Sequence, residues 1–120
     1  MRMRKVKWAV DYLPESKVLV QEPTNNKGKW KAVLNRKKLH SEIGCGKGNY
    51  SIEMSNMYGD EGFIAVEKNE SAAGIAAKKM DELSQNNNLC LIQDDATHIS
   101  EWFAQGEVDY IHLNFFRPMA

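Results

Sequence analysis

An α/β fold built on a parallel sheet is what this sequence predicts, and three observations predict it. Short apolar runs alternate with segments of helical periodicity from residue 39 onward. Runs such as Phe63-Ile64-Ala65-Val66 are continuously apolar, which suits strands covered on both faces. Glycines and polar residues then gather just after the runs, at Gly44 to Gly48, Glu67, Asp94-Asp95 and Asn114. With right-handed crossovers those positions share the carboxyl edge of the sheet, where ligands of such folds bind.

The elements follow in order. Residues 1–38 read as a basic N-terminal extension interrupted by Pro14 and Pro23, with a short helix expected over 29–36 after Gly28. Residues 39–120 read as the α/β domain. Leu39 to Ile43 is the first strand and runs into the loop Gly44-Cys45-Gly46-Lys47-Gly48. A helix is expected from Asn49 to Tyr58 with Ile52 and Met57 inward, and Gly59-Asp60-Glu61-Gly62 is a turn into the second strand, 63–66. Asn69 can cap the next helix, in which Ala72, Ile75, Ala76, Met80 and Leu83 recur at helical spacing. Leu89 to Gln93 is a third strand, 99–104 a short helix, and Val108 to Asn114 a fourth strand after the turn Gln105-Gly106-Glu107.

Composition narrows the class. Lys plus Arg and Asp plus Glu total 16 each, so net charge does not argue for or against a polyanion partner. Its distribution says more: Arg2, Arg4, Lys5 and Lys7 open the chain, and Lys27, Lys29, Lys31, Arg36, Lys37 and Lys38 precede the first strand. This fits a polyanion partner or a solvated basic face equally well. Cys45 and Cys90 form no CxxC pair, so a reducing, cytoplasmic setting is the default. With His40, His98 or His112 they are poorly spaced for zinc, and no metal site is expected. No apolar run approaches a membrane span, and none follows the basic N-terminus as a signal peptide requires.

The chemistry-bearing residues surround the glycine loop. Its spacing is GxGxG, neither the GxGxxG of a dinucleotide site nor a phosphate-cradling P-loop. Alone it is a tight strand-to-helix turn. Glu67 ends the second strand, where an acid can accept hydrogen bonds from both ribose hydroxyls of an adenosine cofactor. Asp95-Ala96 follows the third strand, where a carboxylate can meet an exocyclic adenine amine, and Asp94 competes for that role. Glu42 sits beside the loop, where an acid can pair with a cationic group. A ring of carboxylates suits S-adenosylmethionine, which has an amine and a sulfonium and no phosphate, better than a dinucleotide. Lys47 reads as exposed, and Cys45 as a small loop filler with no base beside it. Trp8, Trp30 and Trp102 could stack on bases, but residues of this kind more often anchor packing.

Taken together, these residues resemble the bacterial tRNA (guanine-N7)-methyltransferases, class I S-adenosylmethionine-dependent enzymes with a Rossmann-like fold. The resemblance rests on Met1-Arg2-Met3-Arg4, Trp8-Ala9, Lys27-Gly28-Lys29-Trp30, Glu42 to Gly48, Ile64-Ala65-Val66-Glu67, Asp95-Ala96 and Leu113-Asn114-Phe115, in order along the chain. It implies a parallel sheet of order 3-2-1-4 with helices on both faces, the N-terminal half of that fold. It also implies S-adenosylmethionine held by Glu42, Gly44, Gly46, Gly48, Glu67, Asp95 and Ala96, and tRNA as partner with the basic arm facing it. Where the family continues Asn-Phe-Ser-Asp-Pro-Trp-Pro, this chain has Asn114-Phe115-Phe116-Arg117-Pro118-Met119, so Arg117 stands at the functional aspartate and no catalytic residue carries over. The expectation is a half-domain whose fourth strand is an edge with an apolar flank of Ile111, Leu113 and Phe115, open to a second copy or a complementing chain. Little methyl transfer is expected of the chain alone. The alternatives are a non-catalytic cofactor- or RNA-binding half-domain and a non-functional truncated product.

Overall fold

The structure, a computed structural model, describes residues 4–113. The expectations for Asn114, Phe115 and Arg117 lie outside the described residues. Four strands, β1 (Leu39–Ile43), β2 (Gly62–Glu67), β3 (Leu89–Gln93) and β4 (Tyr110–Leu113), form one sheet of order β3-β2-β1-β4. Every neighbouring pair is parallel. This is the order and direction expected above. β4 begins at Tyr110, later than the expected start at Val108. Its ladder begins after the Asp109 carboxylate has accepted the Leu39 backbone N–H at 2.9 Å.

The helices are α1 (Lys7–Tyr12), α2 (Trp30–Leu34), α3 (Asn49–Met57), α4 (Glu70–Leu83) and α5 (Ile99–Trp102). They divide the core into two layers. On one face, Ile52 of α3 and Ala73, Ala76, Ala77 and Met80 of α4 pack on Phe63, Ala65, Leu89 and Leu91. On the other, Trp30 of α2 and Trp102 of α5 pack on Leu39, Ile64, Val66, Cys90 and Ile92. Alternate residues of β2 and β3 thus feed opposite layers, the reason their sequence is apolar throughout.

α4 forms where the sequence predicts it. Asn69 accepts the Ala72 N–H at 2.9 Å, Glu70 lies in the first turn, and the run lacks proline. Its inward stripe differs in detail: Ala73, Gly74 and Ala77 are buried and Leu83 is exposed. In α3, Ser51, Ile52 and Ser55 face inward, and Met57 is exposed rather than inward. At 100° per residue, Met57 points about 140° away from Ile52, so one helix face cannot hold both.

The segment before β1 is folded onto the sheet domain. α1, which the sequence reading does not predict, lies along α4. A Cβ on Gly74 would come within 2.0 Å of the Ala9 carbonyl oxygen, so the crossing requires glycine. The Val6 N–H donates to Ser71 Oγ at 2.7 Å near the start of α4, and Tyr12 donates to Asp81 at 2.6 Å near its end. α1 therefore runs parallel to α4. Val20 N–H then donates to the Leu91 carbonyl, and Leu91 N–H to Val18, which covers the outer edge of β3. On the opposite layer the Glu107 carboxylate accepts the N–H groups of Gly28, Trp30 and Ala104, and Trp30 Nε1 donates to the Trp102 carbonyl at 2.7 Å. Among the described residues no helix is long and apolar enough to cross a membrane.

Candidate functional site

The parallel sheet brings Gly44 to Gly48, Glu67 and Asp94 to Ala96 to one edge. The loop after β1 folds back on β2: the N–H groups of Gly44 and Cys45 both donate to the Val66 carbonyl, at 2.9 and 3.0 Å. Gly44, Gly46 and Gly48 have φ of 77°, 58° and 87°. All three lie in the left-handed region that glycine enters without the cost a side chain imposes. Their surroundings separate them. A Cβ on Gly48 would meet Met80 at 2.8 Å and Ala76 at 3.1 Å, so this glycine also lets α3 start against α4. A Cβ on Gly46 would meet nothing within 4 Å, so open space lies above the middle of the loop.

Glu67 is the hub of the edge. One carboxylate oxygen accepts the Gly46 N–H at 2.7 Å and the other accepts the Asn69 N–H at 2.9 Å. The residue at the end of β2 thus ties the glycine loop to the start of α4. Glu42, only 3% exposed, accepts a hydrogen bond from Ser51 Oγ of α3. The loop lies between these acids: burial, then Glu42, then Glu67 push the Cys45 thiol well above its ordinary pKa. Cys45 is therefore held as a neutral filler, since the thiolate is the reactive form.

Beyond β3, Asp95 caps a short 3-10 turn (Ala96–His98) by accepting the Thr97 N–H at 3.0 Å, with Lys68 Nζ at 3.4 Å. The Thr97 hydrogen bonds lead and Lys68 adds to them in holding Asp95 below the usual carboxylate range. Asp94 instead accepts the Asp95 N–H at 2.7 Å and pairs with His98 at 3.1 Å. Asp94 raises the His98 pKa. Both aspartates remain near the edge, and each is partly engaged. Ala96 is half-buried at the start of the turn, and Lys47 is exposed.

A second polar group runs along β1 and β4 on the α3 face. His40 and His112, on β1 and β4, meet through Nδ1 and Nε2 at 2.9 Å. His40 Nε2 contacts Glu61 at 2.5 Å, and His112 Nδ1 contacts the Tyr50 hydroxyl at 3.3 Å. One proton assignment satisfies the whole chain with both rings neutral: Tyr50 donates to His112, His112 to His40, and His40 to Glu61. His40 is stacked between Phe63, at 4.3 Å, and Tyr110, at 4.6 Å. The sequence reading weighed these histidines only as metal ligands, because residues 72 apart in sequence reveal a cross-strand contact only once the strand order is known.

Of the three tryptophans, Trp30 and Trp102 are core residues, while Trp8 is exposed. An open depression of about 620 Å³ lies between Asn35–Lys38 and Gly59–Glu61, at the opposite edge of the sheet. Arg36 there donates to the carbonyls of Leu34, Asn35, Gly59 and Asn86.

This fold, with a glycine loop after the first strand and acids after the second and third, defines an α/β methyltransferase-like domain. The solved structure of PKMT2 from Rickettsia typhi in complex with AdoHcy superposes on it with a TM-score of 0.54, at 16% identity, over 81% of this chain and 19% of that one. Residues 36–119 match the family described as "Putative methyltransferase", and the chain belongs to that family. A tRNA (guanine-N(7)-)-methyltransferase of Bacillus licheniformis is 38% identical over 98% of this chain and 56% of its own length. One from Bacillus subtilis is 35% identical over the same shares. The chain thus spans a little over half the length of these relatives.

Proposed function

We propose that this chain binds S-adenosylmethionine at the carboxyl edge of its sheet and serves methyl transfer to N7 of a guanine in tRNA, in the cytoplasm. The observation that carries the reading is the Glu67 hub, which sets a carboxylate against an open glycine loop with Asp95 at the next strand end. The donor chemistry fits a cationic nucleoside cofactor. The edge offers Glu42, Glu67 and Asp95; of the lysines beside it, Lys68 is paired with Asp95 and Lys47 is exposed. A phosphate-bearing cofactor would instead call for free donors and cations.

In this reading Glu67 accepts the ribose hydroxyls, Asp95 and Ala96 border the adenine, and Glu42 faces the amine. Gly44, Gly46 and Gly48 give the backbone its close approach. When bound, the cofactor supplies an electrophilic methyl on a sulfonium. Guanine N7 carries a free lone pair and needs little acid–base assistance, so holding it in line supplies most of the rate. The chain's task is accordingly to bind, orient and exclude water. With Arg117 where the resemblance puts the family's aspartate, no side chain of this sequence is assigned a proton-transfer role.

The test is calorimetric titration of the full chain with S-adenosylhomocysteine, alongside Glu67→Ala. We expect saturable binding, weakened by about ten-fold or more in the variant, as is common when a charged acceptor for buried hydroxyls is lost. A folded chain that gives no heat, or a variant that binds as well as the parent, would refute the assignment.

A further inference from the structure

Two serines lie on the inward face of α3, one turn apart, and they use their hydroxyls differently. Ser55 Oγ donates to the Ile52 carbonyl of its own helix at 3.1 Å, a common local bond for a buried serine. Ser51, 2% exposed, reaches across instead and donates to the buried Glu42 carboxylate on β1. A carboxylate taken out of water needs donors, and a hydroxyl bonded to it makes a short, strong, directional contact. Ser51 is the third residue of α3, directly after the glycine loop, so its position follows any movement of the loop. Neighbouring Tyr50 hydrogen-bonds His112 of β4, which anchors the same turn of α3 to the strand on the far side of Glu42.

We infer that Ser51 is a positioning residue: its hydroxyl fixes the Glu42 carboxylate in the rotamer that presents it to the amine of the cofactor's amino-acid moiety. The inference rests on the cofactor reading above and deepens it. It separates two parts of one ligand. Ser51 serves the amino-acid end through Glu42, while Glu67 and Asp95 serve the nucleoside end without it. Removing the hydroxyl takes away one of the contacts that orient Glu42, and the loss falls on ligands that carry the amine.

The experiment compares S-adenosylhomocysteine with 5′-methylthioadenosine, which keeps the nucleoside and lacks the amino-acid moiety. Both are titrated into the full chain, Ser51→Ala and Ser51→Thr. The expected result is roughly ten-fold weaker S-adenosylhomocysteine binding in Ser51→Ala. 5′-Methylthioadenosine binding should be unchanged, and Ser51→Thr should recover the first. Equal losses for both ligands, or no loss for either, would overturn the inference, since a merely structural serine loosens the whole loop. A second readout needs no cofactor: the Glu42 carboxyl carbon resonance should move in Ser51→Ala and return in Ser51→Thr. An unmoved resonance would also overturn it. Failure of the parent chain to bind either ligand would sink the cofactor reading, and the resonance would still decide whether Ser51 holds Glu42.

Discussion

β2 and β4 flank the same strand, β1, and are built for opposite surroundings. β2 is buried from Gly62 to Val66, with α3 and α4 on one face and the Trp30–Trp102 layer on the other. On β4, Tyr110, Ile111 and Leu113 are exposed, the last two at 56% and 61%, and only His112 is partly covered. β2 is held by apolar burial. β4 is held by its backbone ladder, by the Asp109 contact to the Leu39 N–H with Lys31 at 3.0 Å, and by the Tyr50–His112–His40–Glu61 chain. One sheet therefore has a hydrophobic flank and a flank held by polar, titratable groups.

Three measurements sharpen or break that contrast. The largest effect belongs to truncation on the closed flank. Leu91→Ala, at a fully buried site on β3, should cost about 3 kcal/mol in urea unfolding, whereas Leu113→Ala on β4 should stay within about 0.5 kcal/mol. Similar costs at the two sites would mean that β4 is covered in solution. Next, Gly74→Ala drives a methyl into the Ala9 backbone and should cost about 2 kcal/mol. Amide exchange in Lys7–Tyr12 should accelerate in step, and an unchanged α1 would contradict the crossing described here.

The smallest effect is a pH dependence on the open flank. Burial first, and His40 second, lower the His112 pKa from 6.5, while Glu42 opposes them. The unfolded chain then binds a proton that the folded chain resists. This contribution to stability is complete above pH 6.5 and is lost as pH falls below it toward the lowered folded value. His98, raised by Asp94, works in the other direction: its contribution is present below 6.5 and lost as pH rises. The informative quantity is therefore the difference between the parent chain and His112→Gln. The variant should lose less stability between pH 7 and about pH 5. Parallel pH curves would remove His112 from the polar flank's energetics.

Much of this was legible from local pattern. The four strands, the loop at Gly44 to Gly48, the Asn69 cap and the convergence of Glu67 and Asp95 on one edge need only periodicity, turn chemistry and the handedness of crossovers. α1 was not legible: six residues, with no side-chain cap and no acid in the first turn, form a helix chiefly by packing on α4. Met57 and Leu83 misled because an apolar residue at a helix end need not lie on the buried stripe. Ser51 left one faint signal, a serine where the inward spacing of α3 calls for an apolar residue.

The sequence by itself determined the α/β class and the chemistry gathered at the carboxyl edge, because β-branched runs, glycines and capping residues act over a few residues of chain. Only the tertiary structure decided what those groups do to one another: that Glu67 holds the Gly46 N–H, that Ser51 holds Glu42, and that His40 meets His112. Such pairings depend on strand order and register, which distant segments settle together by burying the two faces of the sheet, and no local window of sequence contains them.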